Sequence, residues 1–186
     1  MSIAVTIRER RSIRQFNDKP IATELLLQLL NDAVWAPNHG LREPWRFIAA
    51  ERMEAKARMV DLMMESMSHL KRLKLMPGKM KQMMSQHYSK TPAFLIVVMK
   101  ADKDAHKQEE DFAAVSCLIQ NFQLLAWEQG IGMVWSTLEC IHSPLFCEGI
   151  GVKPGERIVG ILHMGYYDKI PKAKTRTPAE KKLTVL

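Results

Sequence analysis

Arg10, Arg11 and Arg14, with Ser12 among them, are clustered near one end of the chain, and Lys174, Thr175 and Arg176 near the other. A guanidinium is a planar fork of donors that grips phosphate oxygens in pairs, and a hydroxyl or backbone amide completes such a cradle. The residue types therefore suit a phosphate-bearing ligand. Taken singly, either cluster also reads as a solvated basic face. Other chemistries are poorly served. Cys117, Cys140 and Cys147 are odd in number and match no close metal-binding spacing, and Cys140, His142 and Cys147 lack a fourth ligand, so neither a disulfide framework nor a metal site is expected. No Ser-His-Asp or Cys-His arrangement presents itself. Gly130-x-Gly132 follows a helical stretch and lacks the third glycine, so it makes no dinucleotide fingerprint.

The elements that must carry these residues follow from periodicity. Ser2 to Arg8 can begin a short helix that presents the arginine cluster, and Asn17-Asp18-Lys19-Pro20 reads as a turn. A helix is expected from Thr23, as N-cap, to Trp35. Leu25, Leu26, Leu29, Leu30, Ala33 and Val34 give it one apolar face, and Pro37 ends it. Arg46 to Ala50 reads as a strand, and Phe94 to Met99 as a strand buried on both faces because its apolar run is continuous. Glu109 to Gln129 predicts a long helix with Phe112, Val115, Ile119, Phe122 and Ala126 inward, stopped at Gly130. Gly132 to Thr137 follows as strand and turn, and Arg157 to Tyr166 as a further strand. Between Arg52 and Lys90 fall nine of the thirteen methionines, on two helices divided by Pro77-Gly78. Methionine fills irregular space, so this segment reads either as ordinary amphipathic packing or as a mobile lid over a roomy apolar pocket. The apolar end of the tail, Leu183, Val185 and Leu186, could add to another subunit.

Composition bounds the class. A chain of 186 residues, 47% hydrophobic and 25% charged, is expected to form one domain over 1–186. The run Phe94 to Met99 is far short of the ~20 apolar residues of a membrane helix, and Arg8 precedes any signal-like stretch, so an unexported cytoplasmic protein with no membrane partner is expected. The net charge of +7 is local: nine Lys/Arg against three Asp/Glu in 52–90, and six against two in 167–186. No helix-turn-helix, zinc-finger or aromatic RNA-binding signature accompanies it, which disfavours nucleic acid and leaves an anionic cofactor as the better match.

The order Arg10-Arg11-Ser12-x-Arg14, a helix, Ala36-Pro37, a short loop, Pro44-Trp45-x-Phe47 and a late Lys174-x-Arg176 resembles the nitroreductase family of FMN-dependent oxidoreductases, across Arg10 to Arg176. The resemblance implies an α+β, three-layer fold: a mostly antiparallel central sheet flanked by helices, with a helical excursion over about residues 52–90. It also implies a homodimer with FMN at the subunit interface. Arg10 and Ser12 would contact the phosphate and ribityl chain, Lys174 and Arg176 would complete the phosphate grip, and Arg11 would be a further ligand or a structural neighbour. Arg14 would approach the pyrimidine edge of the flavin, where a cation stabilises the reduced form. Asn38 and His39 match a loop that reaches flavin across the interface. The family's usual Asn and Gln in that loop are Leu41 and Glu43 here, so the resemblance assigns those two no contact. Trp135, Ser136 and Thr137 fall where relatives place main-chain donors near the flavin's reactive nitrogen, although Trp135 also suits the core.

The activity so implied is ping-pong: NADH or NADPH delivers hydride to FMN, and electrons then pass to a nitroaromatic, quinone or similarly flat acceptor. A specialised flavin reaction on the same scaffold, such as dehalogenation, flavin fragmentation or dehydrogenation, is the alternative, as is a noncatalytic flavin-binding protein.

Overall fold

The computed structural model describes residues 2–186. Its centre is the strand foreseen from the apolar run, β2 (Ala93–Lys100), every residue of which is buried except Lys100. Antiparallel neighbours are β1 (Trp45–Ala50) on one side and β4 (Glu156–Tyr166) on the other, and β3 (Ile131–Ser136) pairs with β4 to complete the order β1-β2-β4-β3.

Alternation along β2 divides the interior into two cores. Leu95, Val97 and Met99 face α2 (Thr23–Ala33) and α6 (Ala105–Glu128), where Leu26, Leu29, Leu30, Val115, Ile119 and Phe122 are buried. Phe94, Ile96 and Val98 face α3 (Met53–Ser66), α4 (Lys71–Lys74) and the short α7 (Pro144–Gly149), against Met59, Met63, Leu73 and Phe146. The fold is α+β in three layers. A preceding helix, α1 (Ile3–Glu9), leads into the arginine cluster. Among the described residues no helix is long and apolar enough to cross a membrane.

Several boundaries differ from the sequence reading. The N-cap of α2 is Ala22, not Thr23, whose hydroxyl instead donates to Glu51 Oε2 at 2.7 Å. That helix stops at Ala33, and Trp35 beyond it is 87% exposed. The long helix starts four residues earlier than Glu109, because Asp104 caps it by accepting from the His106 and Lys107 amides. Phe112 is not inward: it is exposed, with the Arg157 guanidinium 5.1 Å from its ring centre. The methionine-rich stretch forms three helices rather than two, since the chain turns at Ser68 and His69 before α4 and again before α5 (Gly78–Ser89). Met59, Met63 and Met67 serve the core, whereas Met53, Met80 and Met83 are exposed. No residue of α5 is fully buried, so that helix rests on the molecule rather than within it.

Candidate functional site

The segment after α1 runs along the free edge of β3. Ile13 donates its amide to the Met133 carbonyl at 3.1 Å, and Ser12 forms a parallel bridge with Met133. The Ile13 side chain is buried against Gly132, where an added Cβ would overlap it. Alternation along this extended stretch then leaves Ser12 and Arg14 outward, both exposed. Arg10, half-buried, donates from Nη1 to Gln123 Oε1 on α6 at 3.3 Å, and its Nε is buried without a partner. Burial, then the Arg11 and Arg176 guanidiniums, hold the Arg10 pKa below its ordinary value. Arg176 thus stands close enough to Arg10 to be felt, although nearly the whole chain separates them in sequence.

Arg11 turns back and donates from Nη1 to the carbonyls of Arg8 and, at 2.8 Å, Arg10, at the C-terminal end of α1; its Nε also lacks a partner. Its firm contacts are with its own backbone, and it caps that helix. Arg176 donates to the Lys174 and Thr175 carbonyls at 3.1 and 3.3 Å. Among the described residues, none of Arg10, Arg11, Arg14, Lys174 and Arg176 lies within 4.0 Å of a carboxylate, whereas Arg42 has two and Arg46 one. Guanidiniums gathered without counter-charge, two with buried unpaired nitrogens, have the donors and the charge to hold an anion.

Two cavities meet at Arg14. One, about 320 Å³, runs between Ser12, Arg14 and Gln15 on one side and Lys169, Ile170 and Pro171 on the other. The second, about 260 Å³, is walled by Phe16, Tyr88 and Val134, with Arg14, Ser136 and His163 supplying polar groups; Trp135 borders it from the strand, its indole turned to the other face of the sheet. Each is near the lower end of small-molecule site volumes, and together they lie within the range. Trp135 is fixed by its own core contacts: the indole lies across Gly160, where a Cβ would overlap it, and Nε1 donates to the Val159 carbonyl at 3.2 Å. Its indole belongs to the core that faces α2 and α6. Thr137 is exposed and lines neither cavity.

Asn38 and His39 are not brought to this place. Asn38 ties its own loop together, donating to the Ala36 carbonyl and accepting from the Glu43 amide at 3.0 Å. His39 Nδ1 lies 3.3 Å from Glu110, which also takes Arg42 at 2.8 Å. Glu110 and Gln123 are thirteen residues apart on α6, roughly 20 Å along its axis. The loop and the arginine cluster therefore sit at different ends of one helix. Leu41 and Glu43, where the sequence departs from the family pattern, both have positive φ, at 50° and 43°.

Sequence reasoning missed Phe16, His87, Tyr88, Thr91, His163, Lys169, Ile170 and Pro171 as lining residues. A histidine inside the otherwise apolar run Ile158–Met164 is the signal that could have found His163. Among the described residues, no cysteine lines either cavity, and burial pushes the Cys140 thiol up to about 12 and raises Cys147 as well.

Residues 7–166 match the model of the nitroreductase family. The chain belongs to the nitroreductase family. YfhC of Bacillus subtilis (strain 168), named as an NAD(P)H nitroreductase, is 38% identical over 178 residues, which cover 96% of this chain and 91% of that protein. The crystal structure of a nitroreductase-like family protein from Bacillus cereus superposes with a TM-score of 0.91 at 45% identity, covering 100% of this chain and 96% of the other. NfnB of Sphigopyxis sp. strain HMH, an FMN- and NADPH-dependent nitroreductase, shares the fold at a TM-score of 0.80 and 15% identity, with 100% and 99% covered. The family's three-layer architecture is the one built above from the two faces of β2.

Proposed function

We propose that the chain is a single-domain, FMN-dependent NAD(P)H oxidoreductase acting on nitroaromatics, quinones or similarly flat acceptors. The observation that carries this is the unpaired cluster of Arg10, Arg11 and Arg176 beside two cavities that share Arg14. The family match, and the naming of YfhC for NAD(P)H, support the redox reading. When bound, FMN supplies the two-electron chemistry, accepting from NADH or NADPH and donating to the acceptor in ping-pong order.

This chain's residues do the holding and shaping. Arg10, Arg176 and Lys174, with the Ser12 hydroxyl, grip the phosphate, and Arg11 adds charge while it caps α1. Arg14, at the junction of the cavities, brings positive charge to the ring end and favours an electron-rich ligand. Phe16 and Tyr88 wall the cavity beyond Arg14, where a flat acceptor would meet the flavin, and Ser136 edges it at the end of β3. Asn38 and His39, at the far end of α6, reach a ligand through a second copy of the chain, so the working form is a homodimer, placed in the cytoplasm.

The test is the visible spectrum after loading with FMN and removing the free cofactor, followed by rapid mixing with NADH and with NADPH. Near one flavin per chain, bleached by at least one nicotinamide and restored by menadione, is the expected result. Flavin that neither nicotinamide bleaches would reduce the protein to a binder.

A further inference from the structure

His163 is out of place in its strand. Ile158, Val159, Ile161, Leu162 and Met164 around it are buried apolar residues, and His163 itself is 5% exposed. Its partners in register are Val134 on β3 and Phe94 on β2, so it stands in the central part of the sheet rather than at an edge. Phe94 meets the imidazole edge-on at 4.9 Å between ring centres, and Tyr88 lies tilted at 5.6 Å. These contacts fix the ring plane. They leave Nε2 wholly buried and without a hydrogen-bond partner.

A buried ring nitrogen left unpaired carries its full desolvation penalty, and a phenylalanine or leucine would fill this position without it. The ring borders a cavity, however. His163 lines the cavity of about 260 Å³ that also exposes Arg14, Trp135 and Ser136, the residues assigned above to the ring end of the cofactor. His87, Tyr88 and Thr91, at the C-terminal end of α5, close the same cavity from the opposite layer.

We propose that His163 orients the electron acceptor, its imidazole N–H donating to a carbonyl or nitro oxygen of a flat aromatic molecule held between Tyr88 and Phe16. The assignment rests on the functional reading given above and deepens it. The charge state fits the role: burial first, then His87, holds the imidazole at about 4, so near neutrality it is uncharged and carries one N–H. An uncharged donor matches a neutral quinone or nitro oxygen. It cannot serve as the proton source, which must come from solvent or another group. His163 is therefore a positioning and selectivity residue.

The test uses the full FMN-loaded chain, with His163→Leu and His163→Gln compared with the parent. Binding of menadione and of nitrofurazone is measured by equilibrium dialysis against the oxidised protein without nicotinamide, and KM is measured in turnover. The leucine variant should bind both acceptors roughly tenfold more weakly, about what one buried hydrogen bond supports, with the loss appearing in KM and flavin stoichiometry retained. The glutamine variant, which restores an amide donor, should recover part of it. Should His163→Leu fail to fold by circular dichroism, His163→Phe keeps a ring without the nitrogen and takes the same readouts. Unchanged acceptor affinity in a folded variant overturns the proposal, and so does loss of flavin with acceptor affinity intact, which would move the donor to the cofactor. A parent chain that binds no FMN overturns the functional reading instead; the dialysis then stands alone, and equal menadione binding by parent and variant overturns the His163 assignment too.

Discussion

Arg10 Nη1 donates to Gln123 Oε1 at 3.3 Å, a neutral amide standing where an arginine of this burial would ordinarily meet a carboxylate. The charge is placed but not cancelled. Inorganic phosphate and FMN should therefore both raise the unfolding temperature, the added stability growing with the logarithm of ligand concentration to about 2.7 kcal/mol at a hundredfold excess over Kd. Arg10→Ala combined with Arg176→Ala should abolish that shift and release FMN, while the ligand-free chain keeps its fold because no ion pair is lost. Thermal scans with and without phosphate, and bound flavin absorbance, decide it. Stoichiometric flavin in the double variant would sink the phosphate assignment.

Arg42 should prove to be what holds the 38–43 loop. Its fork reaches Glu110 at 2.8 Å and Asp111 at 2.9 Å, and Asp111 is buried. Arg42→Ala strands that carboxylate, so the unfolding midpoint should fall and the amides of residues 39–43 should exchange faster. Adding Asp111→Asn should return part of the loss, since the two changes share one interaction. Strict additivity would argue against the clamp.

The backbone at Leu41 is left-handed at φ 50°, and its side chain is 81% exposed. Little packing is at stake there. Leu41→Gly should therefore stabilise the chain by about 0.5–1 kcal/mol, relieving a conformation that glycine adopts freely. A urea midpoint lower than the parent's would show that the leucine side chain makes a contribution that outweighs the strain.

His163 should imprint a pH dependence on stability. Its folded pKa lies near 4, below the ordinary 6.5, so between those values the unfolded chain binds more protons and stability rises with pH. The contribution is complete above about pH 6.5 and disappears as pH falls toward 4, on the order of 3 kcal/mol over that window. His163→Phe removes the titration, and the difference between parent and variant should narrow or reverse across the same range. Parallel curves from pH 7 to 4 would mean that the imidazole is solvated in the folded chain.

How far the architecture could be read in advance follows from the kind of burial each element has. Phe94 to Met99 was legible because both faces of β2 are covered, which forces a continuous apolar run. The α2 helix was legible because one face alone is covered. Phe112 misled because it keeps the helical period of α6 but projects past the end of the core, where Arg157 covers it. The turn at Ser68-His69 contains neither proline nor glycine, and no local pattern announces it. Of the candidate site, Arg10, Arg14 and Arg176 were legible as unusual charge density. The cavity beside Arg14 was not, because its walls come from β3, β4, α5 and the Phe16 segment, which are far apart in sequence. Asn38 and His39 belong to a loop held at the other end of α6 by its own backbone and by Glu110.

The Ser12–Met133 bridge has a consequence beyond ligand holding. Without that strip, β3 would end the sheet as an open row of unpaired amides and carbonyls, a template for another chain's strand. The Ile13 amide occupies one of those carbonyls, and the Asn17 amide takes the Tyr166 carbonyl nearby. The same few residues that carry the arginines thus cover the open edge of β3, and a lesion that peels them away would expose it to edge-to-edge pairing.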